Sequence, residues 1–335
     1  MTTISAKVIA DSISAIGVRL TTIQLRYPRF IHAENKTHRM HVEHGSYIEE
    51  YGVPTGLMYD PNISRNGRSS RAVPVPRMIQ EVMDDPVVPI RWGKAQPGMQ
   101  AYEEHDALVP VPWIDFEPEI TTRGVRRTIV RHPMPPEQAW LNARDKAVEV
   151  ARAFHEAGYH KQVINRLLEP FMHIDTLVTA TNWSNWFALR DHHAAEPHIE
   201  KLAQEMRSAI GAAKPKYLQH GEWHLPYADR PEDHEAVAGF ADPLQTRIKL
   251  SVARCARISY APFDGDASIE KELERYDLLV GSQPLHASPA EHQATPDLAI
   301  PVNAKREVIY QKPHLSGNLK GWIQYRKTLP GECVR

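Results

Sequence analysis

Alternation of apolar or β-branched residues with polar ones over 7–13 and 20–25 predicts two β-strands, joined by a turn at Gly17. Residues 29–39 read as a helix with His38 and Arg39 in its last turn, and Gly45, Gly52, Pro54 and Gly56 make 40–63 an excursion. A short helix is expected at 77–84. The stretch 85–134 is proline-rich and irregular, with a hairpin around Ile120 to Val130. From Pro135 the period changes: Ala139, Ala143, Ala147, Val150, Ala151 and Phe154 recur at three- and four-residue intervals, a buried helical face that Gly158 ends. A second helical region spans 160–190 with a break near Pro170, and a third spans 197–212. Residues 248–254 read as a strand leading into 255–260, and 267–280 as an amphipathic helix. Helices grouped around a few separated strands, without repeats or low-complexity tracts, predict an α+β fold instead of a doubly wound parallel sheet.

Composition narrows the partners. The 335 residues suffice for one large core or two modest ones. Lys and Arg number 40 against 41 Asp and Glu, a formal net charge of −1, so no general affinity for polyanions follows and basic chemistry has to be local. Two cysteines, Cys255 and Cys333, define neither a disulfide framework nor a four-thiolate zinc site. No apolar run approaches the roughly 18 residues of a membrane span, and the N-terminus lacks the basic and hydrophobic regions of a signal peptide. The expectation is a cytoplasmic protein that engages neither membrane nor nucleic acid. The basic and aromatic stretch 318–327 reads as an amphipathic helix or strand closing the core.

The local basic chemistry is a split constellation. Thr37-His38-Arg39 is followed, after 24 residues at 40–63, by Ser64-Arg65-Asn66-Gly67-Arg68-Ser69-Ser70-Arg71. Guanidinium forks match phosphate oxygens, and short hydroxyl and amide side chains add directional donors, so the segment reads as an anion-binding loop. Its lack of hydrophobic periodicity argues against a core element, and Asn66-Gly67 is a turn dipeptide. Other clusters carry less. The run from His155 to His160 is one residue too long for a zinc-protease motif, and Asp191-His192-His193 follows a helical pattern where the phosphoesterase motif follows a strand. Cys255 reads as a buried thiol.

Ser64, Asn66, Gly67, Ser69 and Arg71, with Thr37, His38 and Arg39 upstream, resemble the arginine signature of the flavin-dependent thymidylate synthases. The segment 28–34 resembles the family's lead-in, with Glu34 where Gln is usual. Asn165-Arg166-Leu167-Leu168-Glu169-Pro170 and 179–190 are similar to its helical motifs. Ala256-Arg257-Ile258-Ser259-Tyr260 and His286 to His292 are similar to a further pair, here placed after the signature, so the order looks circularly permuted. Thr37 and Gly67 depart from the signature, where Arg and Glu stand in relatives; Gln324 and Arg326, which the permuted order would bring near 28–39, could restore the donors that Thr37 lacks.

The resemblance implies one catalytic domain over 1–335 with a mixed or antiparallel sheet, packed helices and insertions at 40–63, 85–134 and 214–245. It implies FAD as cofactor, NADPH and methylenetetrahydrofolate as cosubstrates, deoxyuridine monophosphate as substrate and a homotetramer with shared sites. Glu34, Ser69, Arg71, Arg166 and Arg190 would bind the nucleotide, with Arg190 and Ser69 catalytic. His38, Arg39, Asn182, Asn185, Ser259, His286 and Ser288 would hold the flavin. Two alternatives stay open: a pyrimidine C5 hydroxymethylase or cytidine-nucleotide variant, and a flavin- or nucleotide-binding protein without turnover.

Overall fold

The structure, a computed structural model, describes residues 2–37, 63–98, 101–111, 115–121, 124–130, 133–258, 266–282, 285–301 and 308–332; the side chains of 35–37, Ile63, Arg65, Arg71, the 115–130 hairpin and Pro301 are not described. Its centre is a five-stranded sheet. Strands β1 (Ser5–Ser14) and β2 (Arg19–Pro28) form the expected hairpin, with Gly17 at φ 85° in a turn that favours glycine. Beside β2 lie β8 (His173–Ala180) and then β3 (Ile63–Gly67), both antiparallel, while the three-residue β9 (Lys216–Leu218) pairs parallel with β1, making the sheet mixed. Four small two-stranded ladders surround it: β4 (Val109–Pro110) with β7 (Pro133–Met134), β5 (Asp115–Thr121) with β6 (Gly124–Val130), β10 (Ala294–Pro296) with β13 (Trp322–Gln324), and β11 (Ala299–Pro301) with β12 (Val308–Tyr310).

The helices are α1 (His32–Thr37), α2 (Val75–Asp84), α3 (Pro136–Glu156), α4 (Lys161–Ile164), α5 (Ser184–Arg190), α6 (Pro197–Ala212), α7 (Pro231–Val237), α8 (Pro243–Ala256) and α9 (Ile269–Val280). The two sheet faces differ chemically. On one, Ile23, Leu25, Tyr27, Ile174 and Val178 pack against Ile199, Leu202 and Met206 of α6 and Trp186 of α5. Helix α6 starts because Glu196 accepts from the free amides of His198 and Ile199 at 2.9 and 3.0 Å. Each fully buried Leu or Ile there contributes about 1.5–3 kcal/mol. The opposite face carries Ser12, Thr22 and Thr179, a polar stripe covered by His224 and His292.

Three expectations are corrected. Residues 173–180 are a central strand, not part of one helix over 160–190, which breaks into α4, a 3-10 helix at Asn165–Phe171, β8 and α5. Every residue of β8 except Asp175 is buried, so two covered faces erase the alternation that marks a half-exposed strand. Residues 248–254 belong to α8, where Ile248, Leu250 and Val252 are buried together with Ser251, Ala253, Cys255 and Ala256. The alternation Ile248-Lys249-Leu250-Ser251-Val252 imitates a strand; Asp242, which caps Gln245 N at 2.9 Å, and Pro243 at the first helical position mark the start of the helix. The third correction concerns Ser64 to Gly67. They form β3, not a turn, and Ser64 is fully buried. The polar side chains are accommodated because their partners come from distant segments, described next.

Candidate functional site

Strand β3 is the point of convergence. Gln324 of β13 donates from Nε2 to Ser64 Oγ at 3.0 Å and to the Glu291 carbonyl at 2.9 Å. Asn66 Nδ2 donates to the Cys255 carbonyl, at the end of α8, at 3.0 Å. Arg326 pairs with the Glu291 carboxylate and also reaches Glu332 at 3.1 Å. Burial pushes the Glu291 carboxyl above its ordinary range, and Arg326 offsets only part of that. Four segments separated by up to 260 positions are thereby stitched together. Gln324 and Arg326 spend donors on Ser64 and Glu291 within this network, and the side chain of Thr37, whose missing donors they are expected to restore, lies outside the described residues; the Cys255 thiol is buried and its pKa pushed upward, unsuited to nucleophilic attack.

Past β3 the chain turns through a 3-10 helix at Ser70–Ala72, with Ser69 at its N-cap. This turn rests on the α4 to 3-10 segment: Asn165 Nδ2 donates to the carbonyls of Ser70 (2.7 Å) and Val73 (2.9 Å), and Lys161 Nζ to that of Ala72 (3.1 Å). Arg166, the next residue, is 62% exposed at its side chain and lies 3.9 Å from Glu169, which Arg29 also approaches at 3.9 Å. The structure therefore brings the turn after Ser69 against the segment that carries Arg166, at one end of β8. The side chain of Arg71 lies outside the described residues. Glu34 is exposed on α1, which continues the turn carrying Arg29. Arg68 serves a structural purpose: it forks onto Glu81 with two 2.8 Å bonds. Burial pushes Glu81 up, but Arg68 and Arg77 outweigh it and hold the carboxyl below its usual range.

Asn182, Asn185 and Arg190 sit on and before α5, beyond the other end of β8. Asn182 is exposed and accepts from Ser184 N at 2.8 Å, starting the helix; Asn185 is half-buried. Arg190 closes α5 with Nε buried and unpartnered among the described residues, and the indole Nε1 of Trp183 is in the same state. Seven residues apart, these two donors are close to two helical turns apart and share a face. Sequence reasoning assigned Trp183 nothing; the signal was its place in the 179–190 motif. Among the described residues no hydrogen bond or ion pair joins Arg190 to Ser69 or Arg166.

Of the other candidates, His286 is exposed and held through its backbone N to Leu279 O at 3.1 Å, and Ser288 is half-buried at the start of a 3-10 helix, Ser288–Glu291. His38, Arg39 and Ser259 lie outside the described residues. His292 closes this motif and reaches the sheet: its Nδ1 is 2.8 Å from Thr179 Oγ1, which is 2.6 Å from Thr22 Oγ1, which is 2.8 Å from His224 Nε2, whose Nδ1 is 2.8 Å from Ser12 Oγ. Burial pushes His224 down to about 4 and His292 down to about 3, so both are neutral and serve as hydrogen-bonding spacers. Among the described residues no group of three or more His, Cys, Asp or Glu is placed to hold a metal ion, and no helix is long and apolar enough to cross a membrane.

No family model and no curated protein matches the chain. Among solved structures, a UMP/dUMP methylase PolB from Streptomyces cacaoi bound with 5-Br UMP is similar at a TM-score of 0.37 and 14% identity, covering 63% of this chain and 90% of that one. The same enzyme bound with 5-Br dUMP gives a TM-score of 0.32 and 12% identity over 63% and 91%. The likeness is distant, and the reading below rests on the chain's own residues.

Proposed function

We propose that this protein is a flavin-dependent pyrimidine nucleotide methylase that converts deoxyuridine monophosphate to the thymidine nucleotide, with methylenetetrahydrofolate as carbon donor and NADPH as reductant. The observation that carries the reading is the convergence on β3: Ser64 and Asn66 of the signature meet the Cys255 carbonyl, next to the 256–260 motif, and Glu291 of the 286–292 motif, with Gln324 bridging Ser64 to the Glu291 carbonyl. Segments that merely resembled signature fragments by chance would have no reason to be joined.

Ser69, Arg71, Arg166 and Glu34 are the nucleotide residues in this reading, and Arg190 polarises the pyrimidine carbonyl region. His38, Arg39, Asn182, Asn185, Ser259, His286 and Ser288 are the flavin residues. The donor set fits an acceptor-rich ligand: Arg190 Nε and Trp183 Nε1 are buried donors without partners among the described residues, a state that costs about 1–3 kcal/mol each unless a ligand or neighbouring subunit relieves it. When bound, FAD would supply the reducing equivalents for the transfer. The chain's part is to orient the pyrimidine and to hold positive charge where negative charge develops.

The experiment is reconstitution with FAD, reductant and methylenetetrahydrofolate on deoxyuridine and deoxycytidine monophosphates, followed by product mass. A methyl increment on the uridine nucleotide is expected. A folded protein that takes up no FAD refutes the reading, and a hydroxymethyl increment or a methyl increment confined to cytidine moves it to the alternative substrates. Arg71→Ala is expected to weaken nucleotide binding by about 1.5–3 kcal/mol, and Arg190→Ala to act mainly on turnover.

A further inference from the structure

We propose that Asn165 is the positioning residue of the anion site, holding the Ser69–Ala72 turn so that its carbonyl oxygens face inward and its outer side is open to a phosphate beside Arg166. The inference rests on the reading that this turn and Arg166 bind the nucleotide's phosphate. Asn165 is fully buried. Both N–H bonds of its amide are spent on the turn, to Ser70 O at 2.7 Å and Val73 O at 2.9 Å, while its Oδ1 is buried without a partner among the described residues. A stranded buried acceptor is a local cost, and Leu, of similar size, would avoid it. What only an amide delivers here is two donors aimed at two carbonyls of one turn.

The chemistry of an anion site explains why that matters. Carbonyl lone pairs repel a phosphate, so a turn can present its hydroxyl and N–H groups to one only if its carbonyls are engaged elsewhere. Asn165 engages two, and Lys161 Nζ takes a third, Ala72 O, at 3.1 Å. The adjacent residue is Arg166, so a single 3-10 helix, Asn165–Phe171, both clamps the turn and carries the cation. A one-residue offset fixes their spacing more tightly than separate elements could. Arg166 is only loosely engaged, 3.9 Å from a Glu169 that also faces Arg29, and stays available to an incoming anion.

The test compares wild type with Asn165→Leu, which keeps bulk and loses both donors, and Asn165→Asp, which keeps shape and turns the donors into acceptors. Calorimetry with deoxyuridine monophosphate, deoxyuridine and inorganic phosphate is paired with hydrogen exchange at the amides of 70–73. Both variants are expected to exchange faster in that turn and to bind the monophosphate about tenfold more weakly, with Asn165→Asp the worse, while affinity for the unphosphorylated nucleoside is unchanged. Lys161→Met should show the same selectivity at smaller size and serves if Asn165→Leu does not fold. Equal losses for nucleoside and monophosphate, or unchanged exchange at 70–73, overturn the inference. Should wild type bind inorganic phosphate but not the nucleotide, the functional reading falls and Asn165 is judged on phosphate by the same comparison. Binding of neither anion by wild type overturns both.

Discussion

The buried chain from Ser12 through His224, Thr22 and Thr179 to His292 makes a quantitative claim about acid stability. His224 and His292 are depressed to about 4 and about 3 because burial penalises the imidazolium; Asp11 and Asp229 pull His224 slightly the other way, and His224 itself further lowers His292. An unfolded chain protonates the same imidazoles near their ordinary value, about 6.5. The sign follows: where the unfolded state binds more protons, stability falls as pH falls, so the penalty opens below the unfolded value and grows until the folded values are reached. Between about pH 7 and about pH 5 each histidine costs about 2 kcal/mol, so the pair costs about 4 kcal/mol, a large share of a typical domain's stability. The perturbation is the double variant His224→Gln, His292→Gln, which keeps hydrogen-bonding side chains and removes the titration. Urea unfolding at the two pH values measures the drop for each protein, and the drop in the variant should be smaller by about 4 kcal/mol. Equal drops would refute the claim that these two imidazoles are held neutral by burial.

The remaining predictions concern the stitching around β3. Gly317 has φ 55°, and a Cβ there would lie 2.1 Å from Gln324 Oε1, so Gly317→Ala should displace Gln324 from Ser64 and lower stability by about 1–3 kcal/mol in thermal or urea unfolding. Arg68→Met should remove acid sensitivity from Glu81: its depressed carboxyl contributes stability that is present above the ordinary carboxylate value and is lost as pH falls through the folded value, and a flatter acid limb in the variant is the readout. Cys255 should resist thiol reagents in the native protein and react once unfolded, because it is buried and its thiol is pushed away from ionisation.

Where a segment keeps one face in water, the sequence by itself determined the structure. Strand β1, helix α6 over Pro197–Ala212 and helix α9 over Ile269–Val280 occupy almost the spans that period and caps predict. An exposed stripe preserves the polar positions from which a period is read. The polar residues of 64–68 are engaged internally, Arg68 with Glu81 and Asn66 with the Cys255 carbonyl, which their composition did not disclose. Only the tertiary structure decided β8 and α8: two covered faces remove the contrast from which a strand is read in β8, and in α8 the alternation Ile248-Lys249-Leu250-Ser251-Val252 fits a strand as well as a helix. It also decided that Ser64 to Gly67 are a strand. A polar residue can be buried when its partner is supplied, and the partners, Gln324 for Ser64 and the Cys255 carbonyl for Asn66, stand 260 and 189 positions away. The same reason hid Asn165 and Trp183. Their importance lies in which hydrogen bonds are made or left open, and that is settled by packing between segments, not by any pattern within one.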